Sequence, residues 1–317
     1  MWASSKSHLA ALAVSVGLLL GAVPAPSLLQ NWQVGAAQVQ LSHVMMLAER
    51  LSKQNLLYQL RLGEVRKEHL VETAAAIDAA LRVLYEGNAL LGVPKPPTVD
   101  LRKQIDRVDA QWGLVRAMAV ASPYDYVRRS GTQPGDKTAD PLLVRHFDEL
   151  VSKMIQRANR AQDLYNEICL KNELPDCVAM RAGPATTMLS ERMLKEAIFI
   201  YAEMDAERNR AGLVKTRARL AKAVEHKDDA EMVLKARSPK RGTAGKVVGG
   251  MRRDIDAHWE TLRRQVDLVL EGPADEFDLL RALGTQRQLV SEYQRYTIAI
   301  IRFGSEQRAH RAAATRD

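Results

Sequence analysis

At 317 residues, the chain exceeds the length at which a single hydrophobic core usually stops growing, and this length predicts two domains. Aromatic residues make up only 5% of the chain, and β-branched runs bounded by turn residues are scarce, so the composition argues against β and α/β folds and predicts an all-α protein. The formal net charge is +8, but no basic run carries interleaved aromatic residues, which argues against a nucleic-acid partner. The charge instead favours solubility, attraction to anionic envelope surfaces or capture of small anions.

The amino-terminal segment predicts export. Lys6 precedes an apolar stretch, residues 9–23, whose length suits a signal peptide and falls short of the ~20 residues needed to cross a bilayer. We expect a signal peptide over residues 1–27 with cleavage before Leu28, although cleavage after Ala25 stays open. The mature protein would then be periplasmic or secreted. Without cleavage, the segment would anchor the protein in the inner membrane.

The first predicted helix contains a segment that recurs later in the chain. Met46 to Gln54 reads MLAERLSKQ, and Met188 to Glu196, which begins 142 residues later, reads MLSERMLKE. Further matches follow in the same order: LVET returns as LVKT, and one tryptophan in each half of the chain is followed by an arginine four residues on. Because solenoid repeats are only about 20 to 50 residues long, this long period indicates a duplicated domain.

The duplication and the turn residues predict the domain organisation. We expect a first four-helix module over residues 28–172, a second over residues 173–310 and a disordered tail over residues 311–317. Apolar spacing and breaks at glycine and proline place helices near residues 31–62, 64–87, 98–121 and 140–170 in the first module, and near 178–208, 210–237, 246–271 and 274–308 in the second. Short connections favour two tandem up-down four-helix bundles packed side by side as a pseudo-dimer. End-to-end stacking through one long helix is the alternative.

The two cysteines lie at the predicted junction of the modules. Cys169 and Cys177 flank a stretch containing Asn172 and Pro175, which favours a turn. In an oxidising compartment the pair predicts a disulfide, whose short loop would contribute about 2.5 kcal/mol. Neither C-x-x-C nor companion histidines at ligand spacing accompany the pair, so a redox-active or metal-binding pair is disfavoured.

Motifs that carry enzyme chemistry are missing from the sequence. There is no H-E-x-x-H, G-x-S-x-G, phosphate-binding loop or dinucleotide fingerprint, and the seven histidines are scattered. We therefore expect a protein that is not an enzyme, with no catalytic residues, no cofactor and no metal site.

The recurring segment resembles a known family. Residues 36–54 and 182–196 are similar to the opening helix of the PilJ-type domain, the extracytoplasmic domain of type IV pilus methyl-accepting chemotaxis transducers, with its AGRQRMLSQRMxKE-like pattern. That pattern is related to the ligand-binding helix of NarX-type nitrate/nitrite sensors. The resemblance implies a sensory four-helix bundle in two copies.

The resemblance also implies candidate ligand-binding residues. In the nitrate sensors, the arginine before the motif's methionine holds the anion across a dimer, whereas Met45 and Thr187 occupy that position here. Met45 donates no hydrogen bond and Thr187 offers only a hydroxyl, so nitrate recognition of that kind is doubtful. The motif's second arginine is retained as Arg50 and Arg192. These arginines, with Thr187 and Ser190, are the candidate ligand contacts.

A purely structural interpretation of the same residues is also open. Glu49 and Lys53, like Glu191 and Lys195, are four residues apart with the acid first, an arrangement worth a few tenths of a kcal/mol on an exposed helix surface. The neighbouring arginines would then simply extend a solvated face.

The tryptophan of each predicted third helix is expected to lie in the core. Trp112 and Trp259 occupy matching places, and buried aromatic residues anchor helical bundles. Asp109 and Asp256, three residues earlier, could orient the indoles or pair with neighbouring arginines.

Together these features predict a periplasmic, tandem, sensor-like protein without its own signalling output domain. It would bind a small anion, another small molecule or a partner, and pass its state to an envelope or membrane signalling protein; a homo-oligomer stays open. The alternative is a structural or adaptor protein of the cell envelope or pilus system with no small ligand. A buried polar pocket where the two first helices meet would favour the sensor, and a dry apolar contact would favour the adaptor.

Overall fold

The computed structural model describes residues 26–120, 140–171, 182–225, 243–272 and 275–314. Most of the predicted signal peptide, over residues 1–27, lies outside these ranges. Among the helices of the described ranges, none is both long and apolar enough to cross a membrane.

The described residues are helical apart from turns and one isolated β-bridge between Asn88 and Val93, so the predicted all-α fold class is confirmed. In chain order the helices are α1 (Pro26–Gln59), α2 (Lys67–Glu86), α3 (Val99–Val120), α4 (Pro141–Lys171), α5 (Ala182–Tyr201), α6 (Ala206–Glu225), α7 (Thr243–Glu271) and α8 (Glu276–Ala314). Helix α8 continues beyond residue 311, where a disordered tail was expected.

The helices pack as two bundles joined along their first helices. Helices α1, α2, α3 and α4 each contact the next, and α4 returns to α1; helices α5, α6, α7 and α8 repeat this order. The contact between α1 and α5 is the most extensive of all and joins the bundles side by side. We refer to α1–α4 as the first module, to α5–α8 as the second, and to the α1–α5 contact as the module interface.

Helices α1 and α5 are central because they are apolar on nearly every face. Leu41, Val44, Ala48 and Leu51, which follow one another at helical spacing, are fully buried, and most of the residues between them are buried too. Helix α1 contacts α2 and α4 of its own module as well as α5, and α5 contacts α1, α6 and α8. A helix surrounded in this way has little face left for solvent.

The first turn of each module has the same geometry. At the end of α1, Arg61 adopts φ 53°, and the Leu62 amide donates to the Leu57 carbonyl at 3.0 Å. At the end of α5, Glu203 adopts φ 58°, and the Met204 amide donates to the Phe199 carbonyl at 2.9 Å. Each turn is a Schellman cap whose left-handed residue is not glycine.

The second of these turns corrects a predicted helix end. Helix α5 was expected to extend to residue 208, but it ends at Tyr201, and α6 begins at Ala206. The turn contains neither glycine nor proline. Glu203 and Asp205 adopt the left-handed backbone conformations that glycine usually adopts at a helix end, at φ 58° and 47°. The usual sequence signal for a helix end is therefore missing.

Both tryptophans are buried as predicted, and the partner of Trp112 differs from the expectation. Trp112 donates from Nε1 to Asp78 Oδ1 at 2.6 Å, and Arg116 Nε lies 2.9 Å from Asp78 Oδ2. Asp109, considered as the residue that orients this indole, is exposed. Asp78 on α2 therefore holds both members of the tryptophan–arginine pair on α3.

The predicted disulfide lies only partly within the described residues. Cys169 is buried near the end of α4, whereas Cys177 lies outside the described ranges. The Cys169–Cys177 bond stays a prediction.

Candidate functional site

A buried carboxylate of α1 pairs with two cations of α5. Glu49 Oε2 accepts a hydrogen bond from Lys195 Nζ at 2.6 Å, and Glu49 Oε1 lies 3.3 Å from Arg192 Nε. Lys195 also donates to Asp148 Oδ1 on α4 at 2.7 Å, and that carboxylate accepts from Ser52 Oγ at 2.7 Å. We refer to Glu49, Arg192, Lys195 and Asp148 as the Glu49 half of the module interface.

A buried carboxylate of α5 likewise pairs with two cations of α1. Arg50 Nε on α1 donates to Glu191 Oε1 on α5 at 2.8 Å, and Lys53 Nζ lies 2.5 Å from Glu191 Oε2. Lys53 also donates to Gln286 Oε1 on α8 at 3.1 Å. We refer to Glu191, Arg50, Lys53 and Gln286 as the Glu191 half.

Each Glu-Arg-x-x-Lys segment therefore binds its own repeat in the other module. Reciprocal contacts of this kind define the interface of a twofold-symmetric dimer. Here they lie within one chain, and the recurring segment of the sequence is the contact that joins the modules.

The burial of these residues overturns the solvated-face interpretation. The two glutamates are at most 1% exposed, and the two lysines at most 6%. None of the four pairs within its own helix at the expected i,i+4 spacing; their ion pairs cross to the other module. The side chains of Arg50 and Arg192 are about one-third exposed, at 30% and 29%, and reach the rim of the interface.

The two interface lysines have opposite pKa shifts. Burial lowers the pKa of Lys195, but the charges of Asp148 and Glu49 outweigh that effect and hold it above its usual value. Burial also lowers the pKa of Lys53, and there Glu191 does not offset it. A second carboxylate beside one lysine, against an amide beside the other, explains the difference.

Two carboxylates of the module interface, Glu191 and Asp148, have lowered pKa values and stay ionised at neutral pH. Burial alone would raise the pKa of Glu191, but Lys53 and Arg50 outweigh it and bring the pKa to about 2. Burial would also raise the pKa of Asp148, and the charge and hydrogen bond of Lys195 hold it below its usual value instead.

A polar cleft of about 470 Å³ borders the Glu49 half. Its walls are α4 of the first module and α5 and α6 of the second, so it lies between the modules. The charged side chains that line it include Arg145, Asp148 and Lys153 on α4, Arg192 and Glu196 on α5, and Arg208 on α6. Both its volume and its position between two modules are typical of small-molecule sites.

Glu196 is the most unusual residue of this cleft. It is 9% exposed, its Oε1 lies 3.8 Å from Arg192 Nε, and its Oε2 has no hydrogen-bond partner among the described protein atoms. Burial raises its pKa to about 7, although the Thr216 hydroxyl and Arg192 act to lower it. A Cβ at Gly212 on α6 would lie 2.9 Å from Glu196 Oε1, so a larger residue there would require the Glu196 carboxyl to shift.

The first module has an amide where the second has this acid. Gln54 stands 142 residues before Glu196 in the repeat, and its Oε1 accepts from Thr73 Oγ1 at 2.8 Å. Thr73 and Thr216 are likewise matched by the repeat. The cleft side of the module interface thus carries carboxyls at Asp148 and Glu196, and the opposite side carries amides.

The four candidate ligand contacts lie at or near the module interface, with different environments. Arg192 lines the cleft, and Arg50 pairs with Glu191 in the other half. Ser190 is buried, donates to the Thr187 carbonyl at 2.8 Å and lies 3.4 Å from Gln286 Nε2. Thr187 is buried as well. Only Arg192 among the four borders the cleft.

Sequence reasoning missed Glu196, Gly212, Lys153 and Arg208. Lys153 lies on α4, Glu196 on α5, and Gly212 and Arg208 on α6, so no spacing within one helix connects them. The sequence did contain a signal for the buried ion pairs. The same charged residues recur 142 residues apart, in two helices that otherwise carry apolar residues around most of their surface. Such charges can be buried only when each finds a partner.

Comparison with protein families identifies the first module. Residues 33–139 match the PilJ family model, described as the N-terminal region of type IV pili methyl-accepting chemotaxis transducers. Over these residues the chain is similar to a PilJ-type domain. The match includes most of α1, all of α2 and α3, and ends before α4. No curated protein and no solved structure matches the chain.

The matched family is one of sensory domains of chemotaxis transducers. The first helix of the matched region, α1, supplies the Glu-Arg-x-x-Lys segment of the module interface. The domain is thus sensor-like, and the surface that carries the most buried charge is the one turned toward the second module.

Proposed function

We propose that this protein is an exported, periplasmic sensor built from two PilJ-like modules, which binds a small molecule between them. Binding would change how the modules sit against each other, and that change would be passed to a signalling protein of the cell envelope. The PilJ-type domain supports the sensory class. The apolar segment at residues 9–23 supports export.

One observation carries the proposal: a buried, charged module interface lies directly beside a polar cleft. Lys195 connects the two, since its ammonium group bonds both Asp148 on the cleft wall and Glu49 on α1. A ligand in the cleft would contact α4 of one module and α5 and α6 of the other. It could therefore favour one relative position of the modules, which is what a sensor requires.

The second module supports the tandem arrangement. Its opening helix repeats the Glu-Arg-x-x-Lys segment, and its first turn repeats the Schellman cap of the first module, with Glu203 in the place of Arg61. The four helices of the second module contact one another in the same order as those of the first. A duplicated PilJ-like module accounts for these features together.

The alternative function, an adaptor without a small ligand, has less support. It predicted a dry, apolar contact between the two first helices, whereas that contact contains four ion pairs among the described residues. Exposed apolar side chains do occur, among them Leu90, Leu142 and Leu170. They lie on α4 and beyond the end of α2, away from the module interface.

A thermal-unfolding screen tests the proposal. The exported protein is heated with small anions, organic acids, amino acids and amines at constant ionic strength. A ligand at one hundred times its Kd stabilises the folded state by about 2.7 kcal/mol, which moves the transition by about 4 °C in a chain this long. Sodium chloride at matched ionic strength is the control for general salt effects. No specific shift across the panel would favour the adaptor.

Export is tested separately. Mass spectrometry of the protein recovered from the periplasm should show a new amino terminus at or near Leu28. A chain that keeps Met1 and sediments with membranes would indicate an uncleaved anchor instead.

A further inference from the structure

We infer that the cleft between α4, α5 and α6 binds a small organic carboxylate, held by Lys153 on one wall and Arg208 on the other, with the Glu196 carboxyl donating a hydrogen bond to it. This inference rests on the proposed function, because it names the site and the ligand class of the proposed sensor.

The charges lining the cleft favour an anion. Arg145 pairs with Asp205 at 2.9 Å, and the cations of the Glu49 half are held by the carboxylates described above. Lys153 and Arg208 are exposed and have no ion-pair partner within 4 Å in the described part of the chain. Glu149 is the cleft carboxylate that likewise has no ion-pair partner within 4 Å in the described part of the chain. The unpaired charges of the cleft are therefore two cations, Lys153 and Arg208, and one carboxylate.

The geometry favours a carboxylate that reaches both walls. Lys153 lies on α4 of the first module and Arg208 on α6 of the second, and Arg192 on α5 lines the same cleft. A guanidinium group donates to a carboxylate in a fixed fork, and an ammonium group provides a point charge. Phe199 adds an apolar surface to the cleft, which suits the carbon chain of an organic acid better than a bare inorganic anion.

Glu196 supplies the donor. Its Oε2 is buried and has no hydrogen-bond partner among the described protein atoms, which is costly for a carboxylate but not for a carboxylic acid facing an acceptor. The raised pKa of about 7 agrees with the protonated form. A ligand carboxylate beside Glu196 would raise that pKa further, whereas an ammonium group would lower it.

Charged groups from each of the surrounding helices face Glu196. Those that share the cleft or lie against it are Arg192 and Lys195 on α5, Glu49 on α1, Arg145, Asp148, Glu149 and Lys153 on α4, and Asp205 and Arg208 on the α6 side. Asp148 is held in its ionised form by Lys195. Because the pKa of Glu196 is raised to about 7, we expect its proton to give binding a pH dependence between about pH 6.5 and 8.

Calorimetric titration with three molecules of similar length tests the ligand class. Succinate carries two carboxylates, succinamide is its uncharged counterpart, and putrescine carries two ammonium groups on a four-carbon chain. We expect succinate to bind and the other two to bind at least about tenfold more weakly, a difference of about 1.4 kcal/mol. Tighter binding of putrescine, or no binding of succinate, would overturn the inference.

Two double variants test the site. Lys153→Ala with Arg208→Ala removes the unpaired cations of the cleft and should weaken succinate binding by about tenfold or more. Lys103→Ala with Lys215→Ala removes two exposed lysines that do not line the cleft, changes the net charge equally, and should leave the affinity within about twofold. Equal weakening in both variants would show that only the overall charge matters and would contradict the site.

Glu196→Gln provides a readout that general unfolding would not give. In the wild-type protein, succinate affinity should fall about eightfold from about pH 6.5 to about pH 8, as a donor with a pKa of about 7 loses its proton. The glutamine amide still donates a hydrogen bond but does not titrate. The equivalent position of the first module already carries a glutamine, Gln54. The variant should bind succinate with no such pH dependence. An unchanged pH profile in the variant would exclude Glu196 as the donor.

Failure of the site and failure of the proposed function are distinguishable. If the screen finds a ligand of another class, or if succinate binds equally well to the cleft variant, the carboxylate site is wrong while the sensor proposal stands. If no compound in the screen binds, the sensor proposal fails as well.

Discussion

The Glu49 half and the Glu191 half of the module interface use the same three repeated residues and differ in what the fourth helices add. In the Glu49 half, two cations face two carboxylates, because α4 supplies Asp148. In the Glu191 half, two cations face one carboxylate, because α8 supplies Gln286. The repeated segment thus determines which residues pair, and the surrounding helices determine the charge balance. The pKa values of the two lysines shift in opposite directions for this reason.

The largest expected effect comes from removing one interface carboxylate. Glu191→Gln leaves Arg50 and Lys53 without a carboxylate in a buried position and should lower the free energy of unfolding by about 3–5 kcal/mol. Glu49→Gln should cost less, since Lys195 keeps Asp148. Urea unfolding of both variants at pH 7 gives the comparison. Equal losses would mean that the fourth helices do not set the charge balance.

The next effect is a difference in pH dependence between matched positions. The pKa of Glu196 is raised in the folded state, so the folded protein binds a proton more tightly than the unfolded chain between about pH 4.5 and 7, and wild-type stability falls as the pH rises through that window. Glu196→Gln removes the fall and should be more stable than wild type by on the order of 2 kcal/mol at pH 8, but not at pH 4.

The reciprocal variant checks this explanation. Gln54→Glu places an acid at the corresponding position of the first module and should lose stability on going from pH 4 to pH 8. Unfolding midpoints in urea across this range measure both variants. Parallel pH profiles for wild type and Glu196→Gln would show that burial of Glu196 does not control the dependence.

A smaller effect is expected from making the two halves alike. Asp148→Asn gives Lys195 an amide in place of its second carboxylate, as Lys53 has in Gln286, and should cost about 1–2 kcal/mol. Gln286→Glu is the converse change. It should stabilise the protein or leave it unchanged, and a loss as large as that of Asp148→Asn would contradict the argument. Denaturant unfolding at pH 7 measures both.

The smallest effect is expected at an exposed pair. Glu260→Gln removes the i,i+3 contact with Arg263 on α7, 2.7 Å long and open to solvent, and should change the free energy of unfolding by less than about 0.5 kcal/mol. This variant is the control for the interface substitutions, because it makes the same chemical change without burial. A loss comparable to that of Glu191→Gln would show that burial is not the cause.

The sequence predicted most of the fold. Composition and spacing gave the all-α class, and the recurring segment indicated two modules whose first helices are equivalent. Most helix ends were predicted within a few residues, because Gly63, Gly87 and Pro141 mark them. The end of α5 was missed, because Glu203 and Asp205 occupy left-handed conformations that usually signal glycine.

The candidate site was only partly predictable. The recurrence of Arg50 and Arg192 singled out the correct segment, but an i,i+4 pattern of opposite charges is compatible with both an exposed face and a buried interface. Whether these residues are exposed or buried depends on which helices pack against α1 and α5, and this packing cannot be predicted from a single sequence. Glu196 could have been noticed because, among the differences between the two copies of the segment, only the change from Gln54 to Glu196 introduces an ionisable group.

The presence of both modules in one chain has an evolutionary consequence. In a homodimer, a substitution at the interface appears twice, so a residue that improves one side alters the other by the same amount. Here Asp148 and Gln286 belong to different segments of one gene product and can change independently. The linkage also keeps the two surfaces together at any protein concentration. A covalently joined pair can therefore keep one side as a fixed contact while the other side is free to specialise.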